Sequence, residues 1–309
     1  MTTNQTNSIE EVPSLKLKIL AWSTIFIASF PQIIYRLIIP VVPGEPYNPI
    51  WLVCLEVVFL IIAWVVTMVW GAARPLRGLV LAILAIFIGT FFIIPLITKS
   101  AVWLNWIQEA SWGVKIIAGR LMVHLPLIAL MVLTLIGSGI GRQKLYLVRG
   151  NPGTPCQPSR LLPMNFNKTV SWPRVMLQWM PFYIITLLVI LAIQIRPDLS
   201  QIKQAFFSFP AIIIAATINA IGEEFEYRSM ILARVAPVLG SQSAILMATV
   251  IFGLIHYFGT PGGPFGVILT GYFGWITAKS MIETRGFIWA FLIHFIGDFT
   301  IYSFRAMLI

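Results

Sequence analysis

Apolar runs of about twenty residues recur along this chain, and they leave few folds open to it. The runs are approximately Leu17–Val42, Pro49–Trp70, Leu76–Ile97, Val114–Gly137, Val175–Ile195, Phe206–Arg228, Ser241–Phe258, Phe265–Ile282 and Phe287–Leu308. A segment that crosses a hydrocarbon layer about 30 Å thick must satisfy its backbone hydrogen bonds within the structure, so only helices or a closed barrel qualify. Continuous rather than alternating apolarity selects helices. With 58% of residues hydrophobic and 10% charged, the expectation is an all-α polytopic transmembrane bundle of about nine spans.

The formal net charge is +10, and its placement matters more than its size. The break between the fourth and fifth runs carries Arg142, Lys144, Arg149, Arg160, Lys168 and Arg174 and no acid. With the N-terminus in the cytoplasm, Lys16, Lys18, Arg74, Arg77, Arg228, Arg234, Lys279 and Arg285 fall on the same side. Lys99, Lys115, Arg196, Lys203 and Arg305 fall on the other. An excess of Lys and Arg on the cytoplasmic side orients membrane proteins. The basic balance therefore reports orientation and contact with anionic membrane lipids, not a nucleic-acid partner. The expected location is the cell membrane.

Met1 to Ser14 is polar, holds Glu10 and Glu11, and lacks the pattern of a cleaved leader, so the first run is expected to stay as an anchor. Cys54 in a span and Cys156 in a loop imply no disulfide framework. The chain divides into a four-span region (1–138), a basic cytoplasmic loop (139–174) and a five-span region (175–309). A short strand over Lys144–Val148, ending at a turn at Gly150-Asn151, fits the loop's composition.

Ionisable groups inside a membrane are costly and mark functional sites by default. Three clusters of them lie in the last region: Glu223-Glu224-Phe225-Glu226-Tyr227-Arg228, then Phe252 to His256, then His294 to Asp298. Glu223 and His256 stand at similar counts from the turn near Pro237–Gly240, so they return to one depth and can face each other. His294 lies about two helical turns into the last span, near enough for tilting to bring it in. Glu224 and Arg228 are spaced i,i+4, as are Phe252 and His256, and His294 and Asp298. Asn219 lies one turn before Glu223. The assembly is two carboxylates and two imidazoles from three helices, approached from the cytoplasmic side. A carboxylate beside a histidine can take a proton from water, and a second histidine can donate to the oxyanion that forms on an attacked carbonyl. That is the chemistry of amide hydrolysis.

In these motifs the chain resembles the CAAX-protease and bacteriocin-processing family of intramembrane proteases, which includes the type II CAAX prenyl endopeptidases. The family pattern of two glutamates, three residues and an arginine matches Glu223-Glu224 with Arg228. Phe-x-x-x-His matches Phe252 with His256, and His-x-x-x-Asn or Asp matches His294 with Asp298. The resemblance covers about 206–302 and includes Asn219-Ala220-Ile221. It implies that Glu223 and His256 activate water, that His294 and Asp298 bind the oxyanion, and that Glu224, held by Arg228, shapes the site. Asp298 departs from the commoner asparagine; an ionised carboxylate would repel an oxyanion, so Asp298 either orients His294 or stays protonated through burial.

No cofactor is favoured. Members of that family are commonly labelled metalloproteases, and the alternative is a zinc ion on Glu223, His256 and His294 with water in the fourth position. The function expected is an endopeptidase acting on a membrane-associated or lipidated protein or peptide. Two alternatives stand beside it: a proteolytically silent protein of the same fold, serving as an immunity factor or scaffold, and a proton-coupled transporter using the Glu and His residues as a relay. Simpler readings serve elsewhere. Glu224–Arg228 alone makes a structural ion pair, Glu56 and Arg120 are expected to meet as a buried pair, and Glu226 points to a cytoplasmic vestibule. The Trp residues near span ends read as an interfacial belt. Gly259–Pro264 reads as a tight outer loop at the cavity mouth.

Overall fold

The computed structural model describes residues 14–39, 48–162 and 168–308. Glu10, Glu11 and the end of the first run at Val42 lie outside the described residues. Helices dominate: α1 (Leu15–Ile27), α2 (Phe30–Ile38), α3 (Ile50–Val69), α4 (Arg77–Ile88), α5 (Ile94–Thr98), α6 (Ala101–Gln108), α7 (Trp112–Leu133), α8 (Trp172–Ile195), α9 (Ile202–Phe207), α10 (Phe209–Glu224), α11 (Met230–Leu239), α12 (Ser241–Ile255), α13 (Gly263–Thr284) and α14 (Ile288–Ala306). Among the described residues the only sheet pairs β1 (Pro155–Cys156) antiparallel with β2 (Val170–Ser171). The fold is all-α, as the apolar runs require.

Among the described residues five segments are long and apolar enough to cross a membrane, Ile50–Val69, Gly71–Thr98, Trp112–Leu133, Trp172–Ile195 and Ser241–Phe258. The count is six if α1 and α2, which meet at a 46° bend, make one span. These helices make the protein an integral membrane protein. The nine runs expected from the sequence are not all reproduced by this measure, for a local reason. α10 is 16 residues long because a wider helical turn at Phe225–Ser229 interrupts it. α13 and α14 are long enough, but glycine, threonine and ionisable residues dilute their apolarity. Those polar residues face protein, so the helices that build the interior cluster read least like membrane spans.

The core has two main parts. α1, α4, α11 and α12 close over Ile25, Leu79, Ile83, Ile231 and Met247, all buried. α8, α13 and α14 close over Tyr183, Leu187, Phe273 and Ile293. The basic loop is seated against the turn between α13 and α14, where the Asn151 amide donates to the Thr284 carbonyl (2.8 Å) and the Phe287 amide to that of Val148 (2.9 Å). Gly150, at φ +63°, passes so close to Thr284 and Gly286 that a Cβ would lie 2.4 Å from the Thr284 carbonyl oxygen. The loop's strand pairs across Pro155–Ser171 instead of forming over Lys144–Val148. Glu283 fastens it further, accepting from Trp172 Nε1 (3.0 Å) and the Gln157 amide (3.3 Å) and pairing with Lys279. Among the described residues Cys54 and Cys156 form no disulfide.

Candidate active site

The three clusters meet. Glu223 ends α10, His256 follows the last turn of α12, and His294 lies in the second turn of α14. Glu223 Oε2 is 3.4 Å from His294 Nε2 and 4.0 Å from His256 Nε2. The hairpin count that put Glu223 opposite His256 therefore describes the arrangement, and packing of α10 against α14 brings in His294.

Each imidazole is held from behind. His256 Nδ1 sits 2.8 Å from the Phe252 carbonyl, one turn back. A carbonyl oxygen only accepts, so that nitrogen carries a proton and the Nε2 atom faces Glu223. His294 Nδ1 lies 2.7 Å from Glu224 Oε1. Glu224 is fully buried, with Arg228 Nη1 at 3.4 Å from the same oxygen. Arg228 is also fully buried; its Nε donates to Thr277 Oγ1 (3.1 Å), and its guanidinium lies 3.4 Å from the centre of the Phe252 ring. The i,i+4 pair Glu224–Arg228 is thus more than a structural ion pair, since its carboxylate orients a site histidine. Phe252 supports Arg228 on one face and packs against His256, with ring centres 4.2 Å apart.

Asp298 stands on the Nε2 side of His294. Its carboxylate accepts from Asn219 Nδ2 (2.9 Å) and stands 3.5 Å from His294 Nε2. Asn219 Nδ2 also donates to Glu223 Oε1 (3.1 Å). Both hydrogens of one amide are therefore spent on the two carboxylates nearest His294. Glu224, on the opposite ring nitrogen, orients that histidine.

Two residues the sequence assigned elsewhere belong here. Arg120 does not meet Glu56: its Nη1 donates to Asn219 Oδ1 (3.0 Å), while Glu56 accepts from Gln32 Nε2 (2.9 Å). Glu226 does not face a vestibule. It is buried, and its Oε1 lies 2.9 Å from His124 Nδ1, whose Nε2 lies 3.0 Å from Asn219 Oδ1. The wider turn that begins at Phe225 makes this geometry: it shifts the helical phase, so Glu223 and Glu224 face α14 while Glu226 faces α7. Such turns recur at functional sites. The shared face of Arg120 and His124, four residues apart, was the available signal, but its partner lay about a hundred residues away. Tyr183 gave no signal in the sequence. It lines the cavity, with its hydroxyl beside Gly297.

The cavity in front of Glu223 measures about 280 Å³ and is walled by Tyr183, Leu187, Phe273, Ile301 and Tyr302. Gly259, Thr260, Pro261 and Arg305 also line it. These residues stand at the ends of α13 and α14 away from the turn that holds the basic loop. A second cavity of about 310 Å³ reaches the same Glu223 and His256 from the α1–α2 bend, past Ser29, Gln32, Asn48 and Thr90. As to the zinc alternative, among the described residues no three His, Cys, Asp or Glu side chains are grouped to hold a metal ion. Both histidines turn Nε2 toward one carboxylate oxygen of Glu223.

In comparisons with known proteins, no curated protein and no solved structure matches the chain. One family model does: type II CAAX prenyl endopeptidase Rce1-like, over residues 205–300. The matched stretch holds Asn219, Glu223, Glu224, Arg228, His256, His294 and Asp298, and leaves Arg120, His124 and Tyr183 outside. Over residues 205–300 this integral membrane protein is therefore similar to the type II CAAX prenyl endopeptidase Rce1-like family.

Proposed function

We propose that this protein is an intramembrane endopeptidase that hydrolyses a peptide bond in a membrane-associated or lipidated protein or peptide. The observation that carries the reading is Glu223 Oε2 facing the Nε2 atoms of both His256 and His294, at 4.0 and 3.4 Å. The similarity of residues 205–300 to a family of proteases supports it. The protein resides in the cell membrane with its N-terminus in the cytoplasm, as the basic loop favours.

The 4.0 Å between Glu223 and His256 is too long for a direct hydrogen bond and suits a bridging water. Glu223 takes one proton from that water as its oxygen bonds to the carbonyl carbon. His256, fixed by Phe252, aligns the water through Nε2. The carbonyl oxygen becomes an oxyanion, stabilised by a proton on His294 Nε2. The C–N bond then breaks as Glu223 returns its proton to the leaving amine, giving a carboxylic acid and an amine. Asp298 is protonated in this reading and shares the oxyanion's side of the cavity. No step runs through a metal.

The test compares membrane proteomes of cells carrying the wild type and Glu223→Gln, seeking peptide termini that depend on Glu223. Such termini, insensitive to chelators in membranes, are the expected result. Their absence would favour a silent scaffold, and cleavage lost on chelation and restored by zinc would overturn the metal-free mechanism.

A further inference from the structure

We propose that the cavity receives its substrate from the extracytoplasmic side of the membrane, as an extended peptide segment flanking a membrane anchor. The nature of the substrate rests on the proteolytic reading above; the direction of approach does not.

The direction follows from two helices. α13 and α14 share the turn at Thr284–Phe287, and the basic loop is hydrogen-bonded to that turn through Asn151 and Val148. The cavity reaches the far ends of the same helices, where Gly259–Pro261, just before α13, and Arg305, near the end of α14, line it, and this end is the proposed mouth. At about 1.5 Å per residue, the helices separate mouth and turn by roughly 25–33 Å. That is close to the thickness of a hydrocarbon core, so the two features lie on opposite faces of the membrane. The loop face carries Arg142, Lys144, Arg149, Arg160, Lys168 and Arg174 with no acid between them. At the mouth end, Arg196 and Lys203 flank Asp198, and Lys115 follows Glu109. Short loops rich in Lys and Arg remain in the cytoplasm, and the mouth then faces away from it.

From the cytoplasmic side the way is filled. Below Glu224 the bundle is closed by Arg228, Met230, Ile231 and Leu232, none of them exposed. A peptide tail presented by the cytoplasm would meet this packed end. From the other side, Glu223 lies 14 residues along α10 from Phe209, a depth of about 21 Å, behind a cavity of about 280 Å³. That volume is at the small end for a ligand pocket. An extended chain of a few residues fits it, and a folded domain does not.

Single cysteines in a Cys54→Ala, Cys156→Ala background test the direction. Thr260→Cys and Arg305→Cys mark the mouth and Lys144→Cys the loop, in sealed right-side-out and inside-out membrane vesicles treated with a membrane-impermeant maleimide. The expected result is labelling of both mouth positions in right-side-out vesicles alone, and of Lys144→Cys in inside-out vesicles alone. Mouth positions unlabelled in right-side-out vesicles, or labelled in inside-out ones, overturn the proposal whatever the loop gives. The substrate half is read from the termini that depend on Glu223. They are expected in extracytoplasmic segments next to membrane anchors, and termini in cytoplasmic segments overturn it. Absence of any Glu223-dependent terminus sinks the proteolytic reading and the substrate half together, while the labelling still decides the direction.

Discussion

His124 on α7 closes a 3.0 Å hydrogen bond with Asn219 on α10, 95 residues further along the chain. Asn219 Nδ2 is engaged with Glu223 and Asp298, so its Oδ1 is the acceptor, and it takes hydrogen bonds from His124 Nε2 and Arg120 Nη1 together. The amide is fixed by four partners. α7, outside the family-matched stretch, thereby sets the position of the proposed general base.

Loss of that anchor should cost rate more than binding. Small displacements of a reacting group remove up to about a hundred-fold in rate, so His124→Phe should lower kcat by about ten- to hundred-fold with KM little changed. His124→Gln, which can still donate to Asn219, should recover most of it. Steady-state cleavage of a peptide that depends on Glu223 checks this; equal losses in both variants would show that the ring only fills space.

Asp298 offers a sharper separation. Asp298→Asn keeps an acceptor for Asn219 and adds a permanent donor beside the oxyanion, so activity should stay within about ten-fold of wild type or rise. Asp298→Leu leaves the Asn219 hydrogen unpaired and removes any donor; oxyanion donors are worth about a hundred- to a thousand-fold, and kcat should fall on that scale. If both variants fall alike, the protonated carboxyl has no part in the chemistry.

Tyr183 is stacked on Trp179, with ring centres 4.9 Å apart, and packs on Phe273 at 5.6 Å, which directs its hydroxyl along the cavity wall beside Gly297. A phenol so placed can donate to the same oxyanion. Tyr183→Phe preserves the stack and should lower kcat by about ten-fold or more with an unchanged melting temperature. An unaltered kcat would make the residue part of the wall alone.

The limits of the sequence are specific. Helical period and the count from the Gly240 turn put Glu223 opposite His256, because the hairpin is local. They could not find that Arg120 and His124 turn toward Asn219, since that depends on α7 docking against α10, a contact without a sequence signature. Nor could they assign Glu226, because regular i,i+4 spacing fails at the wider turn after Glu224. Glu56 and Arg120 carry opposite charges, yet each is satisfied by a neutral amide, Gln32 for Glu56 and Asn219 for Arg120, and charge alone does not reveal such partners.

Gly222 makes the docking of α7 on α10 possible. A Cβ there would sit 2.3 Å from both Cγ and Nδ1 of His124, far inside contact distance, and the ring is buried and held at both nitrogens by Glu226 and Asn219. Gly222→Ala must push α7 outward or turn His124 away, and overpacking of this kind costs about 1–3 kcal/mol. A lower melting temperature in detergent and a fall in kcat should appear together. The double variant Gly222→Ala, His124→Ala should regain much of the lost stability, since the clash is gone, yet remain slow, since Asn219 has lost its donor. Recovery of both properties would place the anchor for Glu223 somewhere other than α7.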